Sequence, residues 1–360
     1  LSAREAAAAI ERGVRAGWPE AASTLVPMAD GGEGTVDAFL DAGWRRHEAT
    51  VTGPLGAPVA AAFAYDGETA IVELAAASGL ALVPTAERDP RRASSAGTGE
   101  LVRAALDAGA RRIVIAVGGS ATNDGGAGFL QALGVRFLDA AGEPLGPGGA
   151  ELRRLARVDA SGRDPRLDGI IWEVAADVDH PLTGPRGASA VFGPQKGATP
   201  ADVRELDAAL ERFAEVSAGA LGRDLRAAPG AGAAGGFGFA ALAYLGAALR
   251  PGWEIVAGMR GLATQLESAQ FALTGEGRID AQTAGGKTVA GVARLARAAG
   301  VPLVAFGGKV DAGAEAALAR AGVVCVPISD GPRTLDEALR DAGELLARAA
   351  ERVARLLRPR

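Results

Sequence analysis

Two runs of one design recur along the chain: Asp30-Gly31-Gly32-Glu33-Gly34-Thr35 and Asp124-Gly125-Gly126-Ala127-Gly128. Each precedes a short apolar stretch and reads as a strand-to-helix turn. At such a corner the first helical amides lack partners, and the helix dipole favours negative charge. The Asp adds what a bare anion site does not need, a metal anchor or a proton acceptor. The competing reading is a tight glycine turn with a capping Asp. Gly118, Gly119, Ser120, Ala121, Thr122 and Asn123 extend the second run upstream. Farther on, Asp177 follows an apolar stretch at 170–175, and Lys196 sits in Phe192-Gly193-Pro194-Gln195-Lys196-Gly197. An Asp and a Lys in one neighbourhood suit phosphoryl transfer. The Asp accepts a hydroxyl proton or holds Mg²⁺, and the Lys neutralises charge on the moving group. A third polar turn is expected after 271–273, over Thr274, Gly275, Glu276, Gly277, Arg278, Ile279, Asp280, Ala281, Gln282 and Thr283.

Residue usage sharpens this. Of 38 basic residues only Lys196, Lys287 and Lys309 are lysines, and Asn123 is the single asparagine. A compact ammonium differs from a planar guanidinium fork. In a chain this biased towards Arg, the surviving lysines mark positions that Arg does not fill. All three lie in glycine-rich segments, and Lys287, in Gly285-Gly286-Lys287-Thr288, is expected near phosphate.

Other motifs lose on context. Gly230-x-Gly232-x-x-Gly235 matches the dinucleotide fingerprint as a string, but it follows Pro229 rather than a buried strand. Ala281-x4-Gly286-Lys287-Thr288 resembles a P-loop with its first Gly replaced, and lies too far beyond its strand. No Gly-x-Ser-x-Gly elbow occurs, and His180 reads as a turn residue. One cysteine and two histidines argue against a disulfide framework or a Cys/His zinc site. A net charge of −5 without a basic block argues against nucleic acid as the main partner. No apolar run is long enough to span a membrane. With 48% apolar and 22% charged residues, a folded globular chain is expected, and 360 residues suggest two domains.

The elements that must position these residues alternate strand, glycine turn and helix, which places the chain in the α/β class. Strands are expected at 24–26, 113–117, 170–175, 271–273, 303–306 and 323–326. The stretches 59–65 and 69–74 flank Asp66-Gly67, a two-residue hairpin signal. The sequence opens on a capping box, Ser2-x-x-Glu5, rather than on Met or an apolar leader. Thr199-Pro200-x-Asp202 starts a second capped helix. Thr334-x-x-Glu337 caps a third, expected to run unbroken with an apolar stripe from Leu335 through Leu346 to Leu356.

Taken in order, Pro27 to Thr35, Gly118 to Gly126, Val191-Phe-Gly-Pro-Gln-Lys-Gly-Ala198, Gly232-Ala-Ala-Gly-Gly236 and Thr274-Gly-Glu-Gly277 with Asp280, Gln282, Thr283 and Lys287 are similar to the bacterial glycerate kinase family of the glyoxylate and glucarate pathways. The likeness in order and spacing covers essentially the whole chain. It implies an α/β enzyme that uses ATP and Mg²⁺ to phosphorylate D-glycerate, generally at the 2-hydroxyl. It implies a Rossmann-like parallel-sheet domain made from both chain ends, 1–50 and 288–360, and a larger inserted α/β domain with a hairpin, 51–287. The active site is expected in the cleft between them. On this reading Asp30, Gly31, Gly32, Glu33, Gly34 and Thr35 contact glycerate or the moving phosphoryl group. Gly118, Gly119, Ser120, Thr122, Asn123, Asp124, Gly125 and Gly126 cradle ATP phosphates, with Asp124 on Mg²⁺. Thr274 to Gly277, Asp280, Gln282, Thr283 and Lys287 complete the nucleotide side. Asp177 is the expected proton acceptor and Lys196 the charge stabiliser, and an alternative assignment swaps Asp177 and Asp124. ATP and D-glycerate are the expected partners, in the cytoplasm. A kinase of another hydroxy or sugar acid, and a non-catalytic nucleotide or metabolite binder, are the rival classes. The family pattern places a strand and a Pro-Asp-Ser-Phe-Lys-Gly-Ser segment just before Leu1, so these are expected upstream of the sequence. It also has Asn before Pro where this chain has Asp179-His180-Pro181.

Overall fold

The computed structural model describes residues 1–284 and 286–359, and the side chains of Gln282 and Ala284 lie outside it. The chain forms two compact units, Gly31–Gly252 and Leu1–Asp30 with Trp253–Arg360.

The middle unit is built on strands β1 (Arg45–Thr52), β2 (Pro58–Tyr65), β3 (Thr69–Glu73), β4 (Arg112–Ala116), β5 (Arg136–Leu138), β6 (Arg157–Asp159), β7 (Ile171–Ala175) and β8 (Ala248–Arg250). Six of them form one sheet in the order β1-β2-β3-β4-β7-β8, and β5 pairs with β6 separately. The neighbours β3, β4, β7 and β8 run parallel, while β1 and β2 are antiparallel additions. Ile113, Val114, Ile115 and Ala116 are all buried, as a continuous apolar run on a doubly covered strand requires. At the hairpin Gly67 takes φ 110, and the Asp66 carboxylate accepts from the amides of Glu68 and Thr69 at 2.9 and 2.7 Å. The helix Pro200–Leu221 starts on the expected Thr199/Asp202 capping box and buries Leu206, Leu210 and Phe213. Those side chains join a core that includes Phe63, Phe129, Phe137, Phe237 and Phe239.

The second unit carries a parallel sheet ordered β11-β10-β9, from β9 (Ala272–Ile279), β10 (Leu303–Val310) and β11 (Val323–Pro327). Helix Ala3–Gly17, started by the Ser2/Glu5 capping box, packs on helix Ala342–Leu357. A Cβ at Gly13 would lie 2.1 Å from the Ala347 carbonyl oxygen, so glycine permits the close approach.

Several expectations change. Residues 24–26 form no ladder among the described residues; Val26 and Met28 instead pack against the core of their unit. The final helix is interrupted at Asp341, giving Leu335–Arg340 and Ala342–Leu357, and it leaves Leu335 and Leu339 exposed. β9 and β10 continue through the glycines that read as turns, with Glu276 in register with Gly307 and Arg278 with Lys309. The two compact units divide the chain at 30/31 and 252/253. β1 pairs along its whole length with β2, and Trp253 joins the core of the second unit. Among the described residues no helix is long and apolar enough to cross a membrane.

Candidate active site

Ligands of open α/β sheets bind beyond the carboxyl ends of the strands. In the middle unit β3 ends at Glu73, β4 at Ala116 and β7 at Ala175, side by side. The first glycine corner lies against these ends. Gly31, with φ 89, sits so near β7 that a Cβ would lie 2.9 Å from Ala175 Cβ. Its carbonyl accepts from the amide of Gly118 at 3.0 Å. A Cβ on Gly118 would lie 2.6 Å from Gly32 Cα. The two corners therefore touch. The Glu33 carboxylate lies beside Gly119, and Thr35 Oγ1 donates to the Gly32 carbonyl at 2.7 Å. Each corner opens a short helix on a left-handed glycine: Gly34 before Thr35–Leu40 and Gly126 before Ala127–Ala132.

The far part of the second corner is interior. Residues 120–126 are all buried, while Gly119 is exposed. Asp124 Oδ2 accepts from Ser95 N at 2.8 Å, Ser95 Oγ at 2.7 Å and Gly128 N at 3.2 Å, and its Oδ1 accepts from Gly126 N at 3.1 Å. Asp124, the residue expected on Mg²⁺, is thus buried, with both carboxylate oxygens accepting from the protein itself. Among the described residues no group of three or more His, Cys, Asp or Glu could hold a metal ion.

Lys196 is also interior, 2% exposed, and its Nζ donates to the Thr122 carbonyl at 2.6 Å. Burial pushes its pKa down to about 7, against the pull of Asp124. Its Nζ holds the loop from within and does not face solvent. Asn123 Nδ2 donates to Ser189 Oγ at 2.9 Å. Gly125 N donates to the Gly235 carbonyl at 3.0 Å, and a Cβ on Gly235 would lie 2.0 Å from the Thr122 carbonyl oxygen. In the string Gly230-x-Gly232-x-x-Gly235 the last glycine packs against this loop, Gly232 against the Pro181 carbonyl and Gly230 against Leu249.

Asp177 lies just past the end of β7, exposed, with Oδ1 accepting from Gly252 N at 3.0 Å. Glu33 and Gly119 are exposed as well. His180 bonds through Nδ1 to the Arg186 carbonyl at 2.9 Å and packs edge-on against Phe192, as a turn residue does.

A second polar group belongs to the other unit. Thr274, Gly275, Glu276 and Gly277 lie within β9. Desolvation raises the pKa of Glu276, with Asp280 and Asp30 adding to the rise and Thr283 and Lys287 opposing it. These influences bring Asp30, Glu276, Asp280, Thr283 and Lys287 into one electrostatic neighbourhood. Thr283 Oγ1 donates to Glu276, and Asp280 N donates to Thr283 Oγ1 at 3.0 Å. Lys287 precedes helix Thr288–Ala298 as its cap residue. The side chain of Gln282 is outside the described residues. Asp30 falls in this unit, whereas Gly31 to Thr35 fall in the middle one.

Sequence reasoning missed Glu73, Ser95 and Ser189. Glu73 Oε1 accepts from Val36 N at 2.7 Å, across 37 residues. None of the three belongs to a motif, and only the fold brings them to the corners.

The glycerate kinase family profile matches residues 1–358. A glycerate kinase of Bacillus subtilis (strain 168) is 49% identical over 98% of this chain and 94% of its own length. A glycerate 2-kinase of Escherichia coli (strain K12) is 48% identical over 99% of this chain and 94% of its own length. A crystal structure from Salmonella typhimurium LT2, named provisionally as glycerate kinase 2, is 47% identical, covers 99% of this chain and 94% of its own, and matches with a TM-score of 0.86. The chain belongs to the glycerate kinase family.

Proposed function

We propose that this chain transfers the γ-phosphoryl group of ATP to the 2-hydroxyl of D-glycerate, giving 2-phospho-D-glycerate and ADP. The observation that carries the reading is the contact of the two glycine corners, Gly118 N on Gly31 O at 3.0 Å, against Ala175 at the end of β7, two residues before Asp177. The names of relatives, glycerate kinase and glycerate 2-kinase, support this choice of substrate and of the 2-hydroxyl. In the reaction the 2-hydroxyl oxygen bonds to the γ-phosphorus. The bond from that phosphorus to the bridging oxygen breaks, and its electron pair leaves on ADP. The Asp177 carboxylate takes the hydroxyl proton. Gly32, Glu33, Gly34 and Gly119 line the accessible surface and orient the acid and the phosphoryl group. Thr35 fixes the first corner; Thr122, Asn123, Asp124 and Lys196 fix the second from within. Thr274, Gly275, Glu276, Gly277, Asp280, Gln282, Thr283 and Lys287, with Asp30, serve the nucleotide. The unit containing both chain ends is then the Rossmann-like domain and the middle unit the insertion. Use of ATP favours a cytoplasmic enzyme. No step is assigned to a metal on Asp124.

The test is ADP release with ATP and D-glycerate, lactate, glycolate or a sugar acid. ADP formation that depends on D-glycerate is expected. Turnover only with another acid, or ligand-induced thermal stabilisation without ADP, would overturn the reading.

A further inference from the structure

The two glycine corners solve one problem in different ways. Each opens a helix on a left-handed glycine, and in each the second helical amide is capped by a carboxylate. At Gly126 the cap is local: Asp124 Oδ2 takes Gly128 N at 3.2 Å. At Gly34 it is remote: Glu73 Oε1 takes Val36 N at 2.7 Å. Counted from the helix start, the place of Asp124, two residues before the left-handed glycine, falls on Gly32 in the first corner, which has no side chain to cap with. The capping task at the first corner has passed to the end of β3.

The chain leaving Glu73 holds the other corner by its backbone. Ala121 N donates to the Ser78 carbonyl at 2.9 Å and Leu80 N to the Gly119 carbonyl at 2.8 Å, and Gly79 bridges Ser120. Residues 73–80 therefore grip residues 31–36 with a side chain and residues 119–121 with a strand-like pairing. Burial raises the Glu73 pKa, the Val36 amide pulls it back, and Asp37 and Glu33 add to the rise. A carboxylate kept half-buried in that company is retained for the contact it makes.

We propose that Glu73 is a positioning residue for phosphoryl transfer: by capping Val36 it fixes Gly31 to Thr35 against the 118–121 segment. The proposal rests on reading residues 31–35 as the glycerate corner. It is tested on the full chain with Glu73→Ala and Glu73→Gln, by amide hydrogen exchange and by kinetics with ATP and D-glycerate. In Glu73→Ala, exchange should quicken at 35–40 and stay unchanged in helix Ala96–Asp107. The KM for glycerate should rise roughly tenfold or more, with the KM for ATP within about twofold. Glu73→Gln keeps an acceptor for Val36 and should restore both readouts. If Glu73→Ala does not fold, Glu73→Asp, one methylene short, must give the same glycerate-selective loss. Wild-type exchange at 35–40 in the Ala variant, or equal loss towards both substrates with faster exchange throughout, would overturn the proposal. The exchange readout needs no glycerate, so failure of the cap and failure of the glycerate reading separate.

Discussion

Lys196 meets the backbone of Thr122 inside the middle unit, its Nζ 2.6 Å from the carbonyl oxygen, with the Asp124 charge favouring its ammonium form. The buried lysine and buried aspartate thus support one loop from within.

This burial makes stability depend on pH. The folded pKa of Lys196 is about 7 against an ordinary 10.5. Between those values the unfolded chain holds a proton that the folded chain does not, so the contribution of Lys196 to stability rises with pH across that window. Lys196→Met removes the titration. Its melting temperature relative to wild type should be highest near about pH 6 and fall by about pH 9. A difference that is flat in pH would contradict the buried ammonium.

Asp124→Asn places an amide donor against the N–H and O–H donors of Ser95 and Gly128. The expected cost is about 3 kcal/mol, read as a shift of the denaturant midpoint. Because the carboxylate serves the loop, the Mg²⁺ concentration giving half-maximal rate should not change. A large shift in that concentration with stability intact would return Asp124 to metal binding.

Gly118→Ala drives a methyl into Gly32, since its Cβ would lie 2.6 Å from Gly32 Cα. Parting the corners should cost about 1–3 kcal/mol of stability and roughly 10²-fold in kcat/KM. Melts and steady-state kinetics on one preparation check both. Wild-type kinetics would show that the contact is irrelevant to turnover.

Asp177→Asn removes the proposed proton acceptor and keeps a side-chain oxygen for the Gly252 amide. Turnover should fall roughly 10²-fold or more, with the KM for ATP near wild type. Retained turnover would exclude Asp177 as the base.

Much of this site was readable from residue order because glycine is demanded where backbones touch. Gly31, Gly118 and Gly235 each leave no room for a Cβ, and each stood in a string that sequence alone marked. The strand at 112–116 and the hairpin at Asp66-Gly67 were legible because an unbroken apolar run and turn chemistry are local signals. The extension of β9 through Gly275 and Gly277 was not, because the pairing partners Phe306 and Gly307 lie in a distant segment. Sequence could mark Asp124 and Lys196 as unusual but could not tell that both point inward, since burial is set by what packs over them. Glu73 carried no local signal at all. Its role comes from where β3 ends relative to Val36.

The most direct test of the central claim is a proton-coupled phosphorus NMR spectrum of ATP and D-glycerate incubated with the chain. A phosphate ester on the 2-oxygen couples to one methine proton and gives a doublet. That doublet is expected to grow with ADP. A triplet, from an ester on the 3-methylene, would contradict the assigned position, and no new ester resonance would contradict the transfer itself.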